Sequence, residues 1–135
     1  MADRERREEI KSQISYILKK RRKYLEELGI NRQEISEAFA RAINTTHNYA
    51  SSIITKYEHG LVPYPTTAGY ITNASKNRRR PVKEHYRLKY LHDIGIYLRI
   101  LGIKPPELVS IAEMLQELDS NFHLPEGTES IDQPV

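Results

Sequence analysis

The chain has 135 residues, 29% of them charged, with no cysteine and a formal net charge of +3. That length fits one domain with a real core, and the lack of cysteine excludes disulfides and thiolate metal sites. No apolar run approaches the roughly 20 residues that span a membrane, and the opening MADRERREEI is too charged and too acidic for a signal or transit peptide.

The first helix is predicted over about residues 5–28, where Ile10, Ile14, Ile17, Leu18, Tyr24, Leu25 and Leu28 recur at steps of three and four and Gly29 provides a stop. Asn31 followed three residues later by Glu34 has capping-box character and opens a second helix with Ile35, Phe39 and Ile43 as its buried stripe. Asn44-Thr45-Thr46 breaks that helix and caps a third, which buries Ala50, Ile53, Ile54 and Tyr57 and stops at Gly60. Leu61-Val62-Pro63-Tyr64-Pro65 cannot continue it, because proline lacks a donor and disfavours helical geometry before it. Residues 66–86 form a basic insertion with the run Lys76-Asn77-Arg78-Arg79-Arg80. A further helix starts near Pro81 or Val82 and carries Tyr86, Leu88, Leu91, Ile94, Leu98 and Leu101 to Gly102, with Gly95 marking a close helix contact. Pro105-Pro106 opens a last helix through Leu108, Ile111, Ala112, Leu115 and Leu118. No strand-like alternation of useful length and no repeat appears, so the chain reads as all-α.

Charge is unevenly placed along this order. Residues 1–104 carry all 21 Lys and Arg against 11 acids, whereas residues 105–135 carry 7 acids and neither Lys nor Arg. A basic body suits a polyanion partner. The acidic end, from about residue 119 to 135, is expected to be a flexible tail that stays off the polyanion or screens the basic face.

Phe39 to Gly60 is the most informative stretch: a short apolar helix, a polar break, and a helix whose outward residues are hydrogen-bonders rather than Glu and Lys. It resembles the helix-turn-helix of lambda-repressor-like, Xre-family regulators. Phe39-Ala40 matches the apolar-plus-small pair of the bracing helix, Ile43 its closing apolar position, and Asn44 stands where glycine is usual at the turn. Asn tolerates left-handed geometry better than most residues. Tyr57-Glu58-His59-Gly60 with Pro63, and later Tyr97 to Leu108, resemble the family's ending and its closing helix pair. Two departures stand out: the turn and the Glu-x-Gly ending lie about one helical turn further apart than usual, and residues 66–86 are inserted. The reading register therefore falls either on Thr46–Ser52 or one turn on, toward Ser51–Lys56.

The resemblance implies an all-α, lambda-repressor-like helix-turn-helix domain over residues 1–118, with the helix-turn-helix at about 32–60, a long first helix and an extra last one. The implied activity is sequence-specific binding of double-stranded DNA by a homodimeric transcriptional regulator, a repressor, in the cytoplasm with the nucleoid. Thr46 caps the recognition helix and reaches a phosphate; His47, Asn48, Ser51 and Ser52 point into the major groove. Asn48 is the foremost base reader, since its amide pairs a donor and an acceptor against adenine. Thr55 and Lys56 meet the DNA backbone, as do Arg32 and Gln33 at the bracing helix's N-terminus. Arg78, Arg79 and Arg80 clamp phosphates or enter a minor groove. Dimerisation is expected through the first helix or through the Leu108, Ile111, Leu115 and Leu118 stripe of the last.

Catalysis is not expected. The histidines show no ligand spacing, no glycine-rich phosphate loop is present, and neither metal nor cofactor is implied. Arg80-x4-His85 resembles the pair of HEPN-type all-α RNases, but Arg87 and His92 share that spacing and no polar residue directly follows either arginine. The alternative is a DNA-binding antitoxin or interaction module whose acidic C-terminal segment holds a basic protein partner.

Overall fold

The computed structural model describes residues 4–60 and 84–132, which form five helices and no strand. These are α1 (Arg4–Glu27), α2 (Arg32–Ala42), α3 (His47–Glu58), α4 (Glu84–Ile100) and α5 (Glu107–Leu118). The all-α expectation holds for this part of the chain. No helix among the described residues is long and apolar enough to cross a membrane.

Local signals set the helix ends. Gly29 stops α1 at a φ of +96°, a left-handed geometry that costs glycine nothing. The Asn31 side chain accepts the Glu34 N–H at 2.9 Å and caps α2. Asn44 takes a φ of +56°, the left-handed turn residue between α2 and α3, and Thr46 Oγ1 accepts the Tyr49 N–H at 3.2 Å to cap α3. Each cap satisfies a backbone donor that the first helical turn leaves without a partner.

One core runs through all five helices. Ile10, Ile14, Leu18 and Leu25 of α1 are fully buried, and Arg22 occupies the intervening position on the same face. Tyr24 and Leu28, expected on that stripe, are exposed instead, with the Arg21 guanidinium 5.0 Å over the Tyr24 ring. At the centre, Phe39 of α2, Tyr57 of α3 and Tyr97 of α4 form an aromatic triad with centroids 5.0–6.3 Å apart. The Tyr97 hydroxyl has no hydrogen-bond partner among the described residues. Burial, and then the nearby Glu58 carboxylate, push its pKa far above the ordinary tyrosine value, so it stays protonated.

Two expectations about the C-terminal third are overturned. Leu108, Ile111, Leu115 and Leu118 of α5 are buried within the chain itself, so this stripe is core and is not open to a second copy. Nor is the acidic segment loose as far as Asp132. Phe122 is 0% exposed, Arg99 donates to the Pro125 carbonyl at 2.9 Å, and Ile131 N–H bonds the Ile100 carbonyl at 2.8 Å. Arg21 holds Asp132 at 2.7 Å and also donates to the Leu101 carbonyl at 2.7 Å. Gly95 does mark a close approach, but to this segment rather than to a helix: a Cβ there would collide with the Pro125 ring. An apolar anchor and two arginines outweigh the solubility of the segment's acids.

Phe122→Ala is therefore expected to destabilise the protein by about 3 kcal/mol in urea denaturation, as a large buried ring does when truncated. It should also open residues 119–132 to proteolysis. A loss below about 0.5 kcal/mol would show that the segment is not docked in solution.

Candidate nucleic-acid interface

Three interactions orient α3. Arg22 of α1 makes a bidentate pair with Glu58, through Nε to Oε2 and through Nη2 to Oε1 at 2.8 Å, while its Nη1 holds Glu26 at 2.7 Å. The hydrogen bond to Glu58 holds the guanidinium pKa above its ordinary value. Ser15 of α1 donates to the Tyr57 carbonyl and accepts the Gly60 N–H at 3.1 Å. On the other side, Arg32 of α2 donates to the Ser51 carbonyl at 3.0 Å and to Thr55 Oγ1 at 2.6 Å. Ala50, Ile54 and Tyr57 are buried beneath.

The outward face of α3 follows from that inner one. Asn48, Ser52, Thr55 and His59 lie at i, i+4, i+7 and i+11, and all are exposed, as are Thr46, His47, Tyr49 and Lys56 beside them. The helix has a single acid, Glu58, and its side chain is only 4% exposed because it turns inward to Arg22. The outer face therefore carries amide, hydroxyl, imidazole and ammonium groups and no carboxylate. Such a surface offers donors and acceptors to base edges and repels no phosphate.

The residues singled out in the sequence separate into groups. Asn48, Ser52, Thr55 and Lys56 share the open face, with Thr46 and His47 at its N-terminal end. Ser51 is half-buried at the α2 seam, and its carbonyl is taken by Arg32 and by Thr55 Oγ1 at 3.2 Å. Arg32 sits at the α2 seam, where its Nη2 fastens α2 to α3. Gln33 is exposed and donates to Glu37 at 3.2 Å. Arg78, Arg79 and Arg80 lie outside the described residues. His59 was not singled out, although its spacing from Asn48 and Ser52 puts it on the same stripe.

Among the described residues no group of His, Asp and Glu is placed to hold a metal ion. No family model matches the chain, and comparison with curated proteins and with solved structures finds no significant match.

A double-mutant cycle of Arg32→Ala and Thr55→Val, read by urea denaturation, should give a coupling of about 1 kcal/mol, as expected for a partly exposed charge-assisted hydrogen bond. A coupling near zero would return Arg32 to the pool of free surface cations.

Proposed function

We propose that the protein is a sequence-specific double-stranded DNA-binding protein, a dimeric transcriptional regulator that acts as a repressor. The observation that carries this reading is the outer face of α3. It is capped at Thr46, braced by α2 through Arg32, and cleared of acid by the inward pairing of Glu58. A short helix fixed at both ends and presenting Asn48, Ser52, Thr55 and Lys56 suits the major groove, where an asparagine matches the adenine edge. Dimerisation follows from reach: one recognition helix reads a few base pairs, and two half-sites about one turn apart supply the rest.

The antitoxin reading draws on a free acidic segment. Phe122, Pro125 and Asp132 hold that segment against the body of the chain, which favours DNA over a basic protein partner.

The direct test is selection from a random duplex library at about 150 mM salt, where non-specific binding is weakened. An inverted repeat with half-sites about one helical turn apart is the expected product. Binding at low salt with no sequence enriched would reduce α3 to a non-specific clamp. On the selected site, Asn48→Ala should cost about 1–3 kcal/mol and relax selectivity at one base pair. Equal losses on selected and random DNA would remove Asn48 from base reading. Neutralising Arg78, Arg79 and Arg80 should weaken all DNA alike and flatten the salt dependence by about 0.9 per lost phosphate contact. An unchanged slope would make that run idle.

A further inference from the structure

The side of α1 that faces away from the core has its own order. Glu5, Glu9, Ser12, Tyr16, Lys19 and Lys23 follow one another at steps of four and three, and all six are exposed. That is the 3.5-residue spacing of a helix-pairing seam. Glu8 and Lys20 flank it, both exposed. Tyr16 at the middle is 67% exposed, the largest value among the exposed large hydrophobic residues of the described parts of the chain. The seam is thus acidic in its N-terminal half, aromatic at the centre and basic in its C-terminal half.

We propose that this seam is the homodimer surface, α1 of one copy lying antiparallel against α1 of a second. The proposal rests on the dimeric reading above for the identity of the occupant, and it names the face and register. Reversal about a twofold axis near residue 14 sets Lys23 against Glu5, Lys19 against Glu9, Lys20 against Glu8, and Tyr16 against Ser12 of the other copy. Each pair occurs twice, as an isologous contact requires. Parallel pairing would stack lysine on lysine and glutamate on glutamate, so charge alone selects the antiparallel arrangement. Lys19, Lys20 and Lys23 have no ion-pair partner among the described residues. Glu9 accepts from Arg6 at 3.1 Å and from Gln13 at 3.2 Å, both at Oε1, and Glu8 takes Lys11 at 3.5 Å. Both glutamates are exposed, and the Arg6–Glu9 pair is a surface pair of the kind that yields readily to a better-placed cation.

The seam, from Glu5 to Lys23, is about 27 Å long and about 10 Å wide, so it buries on the order of 550 Å² in total. That is below the roughly 1,200 Å² at which stable interfaces begin. The dimer is accordingly weak and salt-sensitive, and adjacent half-sites on DNA complete it.

Sedimentation equilibrium of the free protein tests this without DNA. Dimers are expected at high micromolar concentration in about 50 mM salt and are lost near 500 mM. The triple variants Lys19→Glu/Lys20→Glu/Lys23→Glu and Glu5→Lys/Glu8→Lys/Glu9→Lys should each self-associate at least about tenfold more weakly. Mixed one to one, they should form a heterodimer tighter than the wild-type dimer. A Ser12→Cys variant of the otherwise cysteine-free chain should be captured as a dimer by a short thiol crosslinker, whereas Glu113→Cys on α5 should not. The crosslink keeps the test intact should a charge-reversed variant fail to fold. A wild-type protein that stays monomeric throughout, or reversed variants that self-associate as tightly as the wild type, overturns the seam. So does a lysine-reversed variant that dimerises normally but loses DNA, since the occupant is then the duplex. Library selection that still yields a site would leave the DNA reading standing in each case.

Discussion

Arg22 reaches from the buried side of α1 to the last turn of α3 and grips both oxygens of Glu58, whose side chain is almost wholly out of solvent. A carboxylate in that position is tolerable only when fully paired, because desolvating an unpaired charge costs several kcal/mol. Ser15, about two turns earlier on α1, adds two hydrogen bonds on either side of Glu58, to the Tyr57 carbonyl and the Gly60 N–H. Together they fix where α3 ends and how it is rotated about its axis. The Phe39–Tyr57–Tyr97 triad then fills the space beneath, and α2 closes the other side through Arg32.

The rotation matters for the proposed chemistry. With Glu58 turned inward, the outward stripe of α3 is left as Asn48, Ser52, Thr55 and His59 with Lys56 alongside. A small rotation of the helix would bring the carboxylate toward the surface and set a negative charge among groups proposed to meet DNA. The same salt bridge therefore serves stability and the electrostatics of the outer face. The C-terminal segment packs on α4 and α1: Phe122 and Pro125 lie against Gly95 of α4, and Asp132 is tied to Arg21 of α1. This keeps Asp132, one of the segment's acids, engaged with Arg21.

Much of this was legible in the chain itself. The caps at Asn31 and Thr46, the stop at Gly29 and the left-handed turn at Asn44 depend on neighbours within four residues, so local chemistry decides them. The inward stripe of α3 and the polar character of its outer face follow from helical periodicity for the same reason. Less legible were the long-range partners. Arg22 reads as one of five consecutive basic residues, yet it falls four after Leu18 and three before Leu25, on the buried stripe. Periodicity marks it as inward-facing, but it cannot name Glu58, 36 residues away, as the group it meets. Arg32 looks like a phosphate ligand at a helix N-terminus until α3 is laid across it. The acidic segment reads as a solvated tail because composition weighs every residue alike, whereas one buried phenylalanine and two arginine contacts decide its place.

Sequence alone determined the helical class of the described residues, their helix ends and the residue types on the inner and outer faces of α3. These are set by backbone sterics, capping hydrogen bonds and a 3.6-residue period, none of which needs a distant partner. Tertiary structure alone decided which charges are spent inside the molecule and which remain outside. Arg22 and Arg32 are consumed in holding α3, and Leu108, Ile111, Leu115 and Leu118 are consumed in the core. Lys19, Lys20 and Lys23 of α1 stay exposed, without ion-pair partners among the described residues. The division arises because a charge's fate depends on which groups the fold brings within about 4 Å of it, and the linear order of residues does not contain that distance.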